Sequence, residues 1–133
     1  MNKKEGGAAK NTLQKLLLGF VYAGSGIKQL FKTERNIWVH TIAMLCTVVL
    51  GFIVNLSSTE WIAVILCCGL VLGAEAVNTA IEYLANYCTT DKNEQIRKVK
   101  DISAGAVLIC AIAALFVGLI IFIPKILLLF DGG

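Results

Sequence analysis

The chain has 133 residues, of which 57% are hydrophobic and only 16% are charged. Its mean hydropathy of +0.77 and its single proline lie outside the range that is usual for soluble domains. We therefore interpret the chain as a small, all-α integral membrane protein. The formal net charge of +3 is small. Basic side chains that anchor the protein at one membrane face account for it, so a nucleic-acid partner is not needed to explain it.

The first predicted element is an amphipathic helix over residues 11–32 that lies on the membrane surface. Apolar side chains recur there at intervals of three and four residues, while polar side chains fall largely on the other side. Asn11 is the expected N-cap, with Gln14 three residues later as an imperfect capping box. The pattern predicts either a simple anchor in the cytoplasmic headgroup plane or a lid over a site in the membrane.

Three further helices are predicted to cross the membrane, over about residues 36–56, 61–86 and 101–123. The sequence has no Lys or Arg between Arg35 and Lys92, whereas both flanking regions are basic. Because positive charge stays in the cytoplasm, we expect the N-terminus and the loop around Lys92 to be cytoplasmic and the C-terminus to be outside. The sequence therefore predicts a multi-pass membrane protein whose basic segments face the cytoplasm.

Acidic side chains interrupt the second predicted span. Glu75 and Glu82 are seven residues apart, so on a helix they point within about 20° of each other, and Asn78 lies about 60° to one side. An ionised side chain in the hydrocarbon core costs about 2.5 to 3.5 kcal/mol, so acids in a span mark a functional site. One face of this helix is therefore a candidate site.

A third acid precedes the first span. Glu34 is expected at the same depth as Glu82, so that three carboxylates converge near the cytoplasmic membrane face. Such like charges repel unless a cation neutralises them, and Mg²⁺ suits carboxylate oxygens together with phosphate oxygens. Glu75 lies about 10.5 Å from Glu82 along the helix axis, too far to share that metal, and is left free to act as a base. The pattern predicts phosphoryl transfer from a Mg²⁺-bound donor to a lipid alcohol.

Lys100 and Asp101 stand where the cytoplasmic loop re-enters the membrane. They could add a phosphate contact and a second polar clamp to this site. The same pair is equally explained by an Asp that caps a helix and a Lys that extends toward the headgroups. The residues alone leave both interpretations open.

Four motifs together resemble one protein family over roughly residues 20–125. They are Thr33-Glu34-Arg35-Asn36 with His40, Glu75-x-x-Asn78-Thr79-Ala80-Ile81-Glu82, Lys100-Asp101-x-x-Ala104-Gly105-Ala106-Val107, and Ile123-Pro124-Lys125. The family is that of the prokaryotic diacylglycerol kinases, including their undecaprenol kinase branch. The resemblance implies a single membrane-embedded lipid kinase domain over residues 1–133 that assembles as a homotrimer and uses Mg²⁺ and ATP.

The resemblance also implies a role for each site residue. Glu75 corresponds to the general base and, with Asn36, to the lipid-binding side of the site, while Asn78 corresponds to a residue of the catalytic centre. Glu34 and Glu82 correspond to residues that hold the metal ion and the nucleotide. Further nucleotide contacts are implied for Lys15, Tyr22, Asp91, Lys92, Asn93, Lys100 and Asp101.

The acceptor lipid and two other functions stay open at the level of the sequence. The Glu34-Arg35-Asn36 and Pro124-Lys125 patterns look more like the undecaprenol kinase branch, which favours undecaprenol over diacylglycerol. A small cation or proton transporter, the remote alternative, would need polar side chains through the full membrane depth, but the third span has only Ser103. A packing subunit without activity would leave the acids of the second span unexplained.

Overall fold

The computed structural model describes the backbone of residues 3–131 and the side chains of residues 11–130. Four helices follow one another: α1 (Lys3–Thr33), α2 (Arg35–Ile53), α3 (Ser58–Cys88) and α4 (Glu94–Asp131). As predicted, three helices within this part of the chain, α2, α3 and most of α4, are long and apolar enough to cross a membrane. The chain divides into two compact units, Met1–Glu34 and Arg35–Gly133.

α1 forms the body of the first unit and is longer than the predicted surface helix. It begins at Lys3, so Asn11 lies inside the helix and the prediction that Asn11 is the N-cap is wrong. The segment before Asn11 contains Ala, Lys and Glu, which are good helix formers, and its two glycines cost only about 1 kcal/mol each. Apolar side chains of α1 such as Leu13, Leu16 and Phe20 are exposed. The location of this helix on a membrane surface stays a prediction.

A tight connection over residues 54–57 joins α2 to α3. Asn55 has a φ of 53°, in the left-handed region that Asn tolerates better than most residues. Ser57 then caps α3: its Oγ accepts a hydrogen bond from the Glu60 backbone N–H at 3.4 Å, and its own backbone N–H donates to Glu60 Oε2 at 2.7 Å. α2 ends before the predicted residue 56 because the turn and this capping box replace its last turn.

α3 and α4 are antiparallel, and two polar contacts define their register. At one end, Lys100 Nζ donates a hydrogen bond to Asn86 Oδ1 at 2.6 Å. At the other end, Lys125 Nζ lies 3.1 Å from Glu60 Oε2. The two contacts are 26 residues apart on α3 and 25 residues apart on α4. Positions along one helix can therefore be matched to positions along the other over the whole length of the pair.

The connection between α3 and α4 is shorter than predicted. α3 continues to Cys88 and α4 begins at Glu94. Asn93 caps α4, because its Oδ1 accepts hydrogen bonds from two backbone N–H groups of the first turn at 2.9 and 3.2 Å. Asp101 therefore lies well inside α4, and the interpretation of that residue as a helix cap is wrong.

The membrane-spanning unit has a small protein core and a large apolar surface. The buried hydrophobic cluster lies next to the α2–α3 connection and consists of Val54, Leu56, Val64 and Phe122. Many large apolar side chains are exposed instead, as expected where lipid rather than water surrounds the helices. Buried polar side chains lie nearer to the contact between Lys100 and Asn86, at the other end of the helix pair.

Candidate active site

The candidate site is a row of polar side chains buried on α3. Glu75, Asn78 and Thr79 are only 2%, 7% and 4% exposed. Glu82 follows one turn after Asn78 and is half-buried. On a helix these four side chains fall within an arc of about 100°. One face of α3 therefore carries its polar groups away from the surrounding lipid.

Asn78 and Glu82 are joined by a hydrogen bond. The Nδ2 amide of Asn78 donates to Glu82 Oε1 at 3.3 Å. This bond directs the amide nitrogen toward the carboxylate and leaves Asn78 Oδ1 buried, without a hydrogen-bond partner among the described residues. A buried carbonyl oxygen in that state is costly, so it indicates a position that a ligand completes.

α4 contributes Ser103, whose buried hydroxyl also lacks a hydrogen-bond partner in the part of the chain that the structure describes. The contact between Lys100 and Asn86 fixes the register, so Ser103, about one turn beyond Lys100, is level with Glu82. The sequence indicated only that Ser103 is polar in an apolar span. Its spacing of three residues from Lys100 puts both side chains on one helical face, but the sequence does not show that this face packs against α3.

The two predicted polar residues at the start of the third span have different partners. Lys100 donates to Asn86 Oδ1 on α3, and it therefore lies at the same end of the helix pair as the site. Asp101 is exposed and accepts a hydrogen bond from Arg97 Nη1 at 2.7 Å. The same guanidinium group also bonds to Glu94 at 2.7 Å. Lys100 is thus directed at α3, whereas Asp101 takes part in an ion-pair network on the surface of α4.

Three of the predicted site residues belong to the first unit, Met1–Glu34. Lys15 and Tyr22 are exposed on α1, and Glu34 is half-buried directly after that helix. No group of three or more His, Cys, Asp or Glu side chains that could hold a metal ion occurs within the described residues. The convergence of Glu34 with the acids of α3 therefore stays a prediction.

The remaining predicted contacts lie in connections and at a helix start. Asp91 and Lys92 are exposed in the α3–α4 connection, and Asn93 uses its side chain to cap α4. Asn36 is exposed in the first turn of α2. Roles for these residues in binding nucleotide and lipid stay predictions.

The side chains of Asn78 and Glu82 carry oxygen atoms of the chemical type that a magnesium ion binds. Mg²⁺ commonly takes one or two protein carboxylates, while water and phosphate oxygens fill its other positions. The Glu82 carboxylate and the unpartnered Asn78 Oδ1 supply hard oxygen ligands of this kind on neighbouring turns, as far as the described residues go. Glu75, one turn before Asn78 and almost fully buried, is available for a different role.

The chain is similar to one known protein family over most of its length. Residues 21–122 match the family model described as prokaryotic diacylglycerol kinase. The matched range contains Glu34, Glu75, Asn78 and Glu82. The acids that the sequence analysis singled out therefore all lie within the region that is similar to this family.

The chain aligns with two curated relatives, and the alignment covers a different share of each relative's length. The undecaprenol kinase of Bacillus subtilis strain 168 is 37% identical over 117 residues, which make up 88% of this chain and 95% of that protein. The diacylglycerol kinase of a Synechocystis species is 33% identical over 113 residues, which make up 84% of this chain and 65% of that protein. The chain thus spans nearly all of the Bacillus protein but less than two thirds of the Synechocystis one.

Proposed function

The chain belongs to the prokaryotic diacylglycerol kinase family and is a lipid kinase, and on that basis we propose that it transfers the γ-phosphoryl group of Mg-ATP to undecaprenol. The product is undecaprenyl phosphate. Undecaprenol is favoured because the relative that is named for this substrate is similar over 95% of its length. The Glu34-Arg35-Asn36 and Pro124-Lys125 patterns favour the same acceptor. The alternative acceptor is diacylglycerol, which would give phosphatidic acid.

The burial of Glu75 is the observation that carries this proposal. A carboxylate that is 2% exposed in a membrane-spanning helix can meet a lipid hydroxyl while bulk water is kept away. We assign Glu75 the role of general base. It accepts the proton of the acceptor hydroxyl as the hydroxyl oxygen attacks the γ-phosphorus of ATP, the bond from that phosphorus to the bridging oxygen breaks, and ADP leaves.

Asn78 and Glu82 hold the phosphate donor in this proposal. The Glu82 carboxylate and Asn78 Oδ1 would bind Mg²⁺ together with Glu34 and the nucleotide phosphates. When bound, the ion supplies positive charge that neutralises the transferring phosphoryl group. The hydrogen bond from Asn78 to Glu82 fixes the orientation of that carboxylate, about 10.5 Å along the helix from Glu75. Donor binding and proton transfer are thereby assigned to different turns of α3.

Other polar side chains complete the two substrate sites. Lys100, which lies at the same end of the helix pair, would contact phosphate oxygens. Asn36 would contact the lipid headgroup. The other proposed nucleotide contacts are Lys15, Tyr22, Asp91, Lys92, Asn93 and Asp101.

The site faces the cytoplasm of a bacterial inner membrane in this proposal. Lys and Arg are absent from the sequence between Arg35 and Lys92, which supports a cytoplasmic N-terminus and an external C-terminus. Lys100 and Asn86 then lie at the cytoplasmic end of the helix pair, where ATP is available. We further propose that several copies of the chain assemble, since one chain is too small to surround a nucleotide, a metal ion and a lipid headgroup. The resemblance to the family implies that the copies number three.

A reconstituted assay tests the function directly. The purified protein is placed in liposomes that contain equal amounts of undecaprenol and diacylglycerol, and radiolabelled ATP and Mg²⁺ are added. We expect label in undecaprenyl phosphate at a rate at least equal to that in phosphatidic acid, and loss of both products after chelation of Mg²⁺. Label in phosphatidic acid alone would reject undecaprenol as the acceptor, and the absence of both products would reject the kinase function.

A further inference from the structure

The hydroxyl of Ser103 is not satisfied in the way that other hydroxyls of this chain are. Thr33, Thr41 and Thr47 each donate a hydrogen bond to the backbone oxygen four residues earlier, at 3.0, 2.7 and 2.9 Å. Such a bond satisfies a hydroxyl within its own helix, so no outside partner is needed. Ser103 Oγ is buried and makes no hydrogen bond to any of the described residues. A buried hydroxyl in that state is costly, and it indicates a partner from outside the chain.

Ser103 lies on the face of α4 that packs against α3. One turn earlier, Lys100 donates to Asn86 of α3 at 2.6 Å, and one turn later Val107 is buried. Side chains three and four residues apart share a helical face, so Ser103 is enclosed between these two positions. Because the helices are antiparallel, three residues beyond Lys100 on α4 correspond to three residues before Asn86 on α3. Ser103 is therefore at the level of Glu82, next to the row of polar side chains on α3.

The two facing helices supply opposite kinds of polar group at this level. α3 supplies oxygen atoms that accept hydrogen bonds or bind a cation, namely the Glu82 carboxylate and Asn78 Oδ1. α4 supplies donors, namely the Ser103 hydroxyl and the Lys100 ammonium group, which has two N–H bonds left beside the one to Asn86. A ligand between the helices is matched best when a cation meets α3 and anionic oxygens meet α4. A magnesium-nucleotide complex has this distribution of charge.

The depth of Ser103 selects the phosphate group that it contacts. Ser103 is one turn, about 4.5 Å along α4, deeper in the helix pair than Lys100 and so nearer to the level of Glu75. The phosphate that is transferred has to lie nearer to the base than the other phosphates do. We propose that the Ser103 hydroxyl donates a hydrogen bond to an oxygen of the terminal phosphate of ATP, an inference that rests on the proposed kinase function. Ser103 is then a substrate-binding residue that α4 adds to the acids of α3.

Ser103→Ala tests this contact, because it removes a hydroxyl that has no partner among the described residues. We expect the variant to bind the magnesium complex of β,γ-methylene-ATP about tenfold more weakly, as measured by calorimetric titration in detergent, since a hydrogen bond to a charged group is lost. Affinity for Mg-ADP, which lacks the terminal phosphate, should change less than about twofold. The melting temperature of the nucleotide-free variant should not fall, which separates a lost contact from a damaged fold.

A second variant and a control distinguish the hydroxyl from packing. Ser103→Cys keeps a side chain of similar size but offers only a weak donor, so it should also lose affinity for the triphosphate analogue. Thr47→Val is the control, because it removes the hydrogen bond to the Ala43 backbone oxygen at 2.9 Å in α2. Thr47 is one turn from Gly51, which lies against the Trp61 ring at the other end of α3. Both nucleotide affinities should therefore stay unchanged in Thr47→Val.

Two outcomes would overturn the assignment of Ser103. Unchanged affinity for the triphosphate analogue in Ser103→Ala would indicate that the hydroxyl holds only a water molecule between the helices. An equal loss for the triphosphate and diphosphate complexes would place the contact at another part of the nucleotide. Failure of the kinase proposal is distinguishable from both, because the unaltered protein would then bind neither nucleotide and phosphorylate no lipid, and the assignment of Ser103 would fail with it.

Discussion

Glu75 and Glu82 lie on one face of α3, but their different surroundings support the different roles proposed for them. Glu75 is almost fully buried, whereas Glu82 is half-buried and accepts a hydrogen bond from Asn78. A carboxylate buried in a membrane-spanning helix suits proton transfer with a lipid hydroxyl. A more accessible carboxylate beside an amide oxygen suits a hydrated metal-nucleotide complex. Substitution should therefore separate the two functions.

Glu75→Gln is expected to lower turnover by about 10²- to 10⁴-fold, because an amide cannot accept the proton of the acceptor. Affinity for Mg-ATP should stay unchanged, as measured by calorimetric titration beside steady-state kinetics. Glu82→Gln is the matched control and should mainly weaken Mg²⁺-dependent nucleotide binding. An equal loss of nucleotide affinity in both variants would contradict the assignment of Glu75 as the base.

Ser103→Ala is expected to leave the stability of the protein unchanged or to raise it by about 1 kcal/mol. Its hydroxyl is buried without a partner among the described residues, so the substitution removes a desolvation cost and no hydrogen bond. Thr41→Val is the control, because Thr41 Oγ1 donates to the Ile37 backbone oxygen at 2.7 Å and that bond is lost. Thermal denaturation in detergent measures both. A lower melting temperature for Ser103→Ala would contradict this expectation. It would show that the Ser103 hydroxyl makes a hydrogen bond in the folded protein.

The sequence was enough to single out the acids of α3 as a candidate site, whereas it was not enough to single out Ser103. A carboxylate in a membrane span is costly enough to require a function, and its position in a helical repeat gives the face on which it lies. A serine costs little in a span and occurs there for many reasons. Its significance depends on burial and on the register of α3 against α4, which only the fold provides.

At the scale of elements, the apolar centres of the helices were predictable and their ends were not. Hydropathy reports the residues that face lipid, but the first turns of α4 are polar and helical because Asn93 caps them and Arg97 pairs with Glu94. In the same way, Ser57 and Glu60 start α3 before its apolar segment begins. Helix ends depend on such capping contacts, which are short and local, and the apolar pattern does not contain them.

Asn55→Ala is expected to destabilise the protein by about 1 to 2 kcal/mol, because a Cβ-bearing residue without a polar side chain is strained at a φ of 53°. Asn55→Gly should cost much less, since glycine adopts this conformation freely. Chemical denaturation in detergent compares the two variants. Equal destabilisation would indicate that the side chain of Asn55, and not its backbone conformation, stabilises the α2–α3 connection.

At the scale of the whole molecule, the number of spans followed from composition, but the arrangement of several copies did not. Exposed apolar side chains on α2, α3 and α4 are explained by lipid and by contact with another copy alike. Hydropathy cannot separate these two surroundings, because lipid chains are as apolar as leucine. Assembly therefore has to be tested by asking whether two neighbouring copies supply residues to the same active site.

Mixed assemblies of two inactive variants provide that test. We expect co-expressed Glu75→Gln and Glu34→Gln chains to regain activity, because a site that takes one acid from each of two neighbouring chains is intact in about a quarter of randomly mixed sites. Each variant expressed alone is the control, and lipid phosphorylation in liposomes is the measurement. Mixed assemblies that stay as inactive as the single variants would indicate that each chain builds its own site.

The unequal lengths of α2 and α3 have a consequence for where the two reactants meet. α2 has 19 residues, about 28 Å, while α3 has 31 residues, about 46 Å, and the short connection over residues 54–57 holds one end of α2 next to one end of α3. Measured from Ser58, a hydrocarbon layer about 30 Å thick would end between Glu75, about 26 Å along α3, and Glu82, about 36 Å along it. In the proposed reaction the phosphoryl group would be transferred at the boundary between water and hydrocarbon, so that neither the hydrophilic nucleotide nor the insoluble alcohol would have to leave its own solvent.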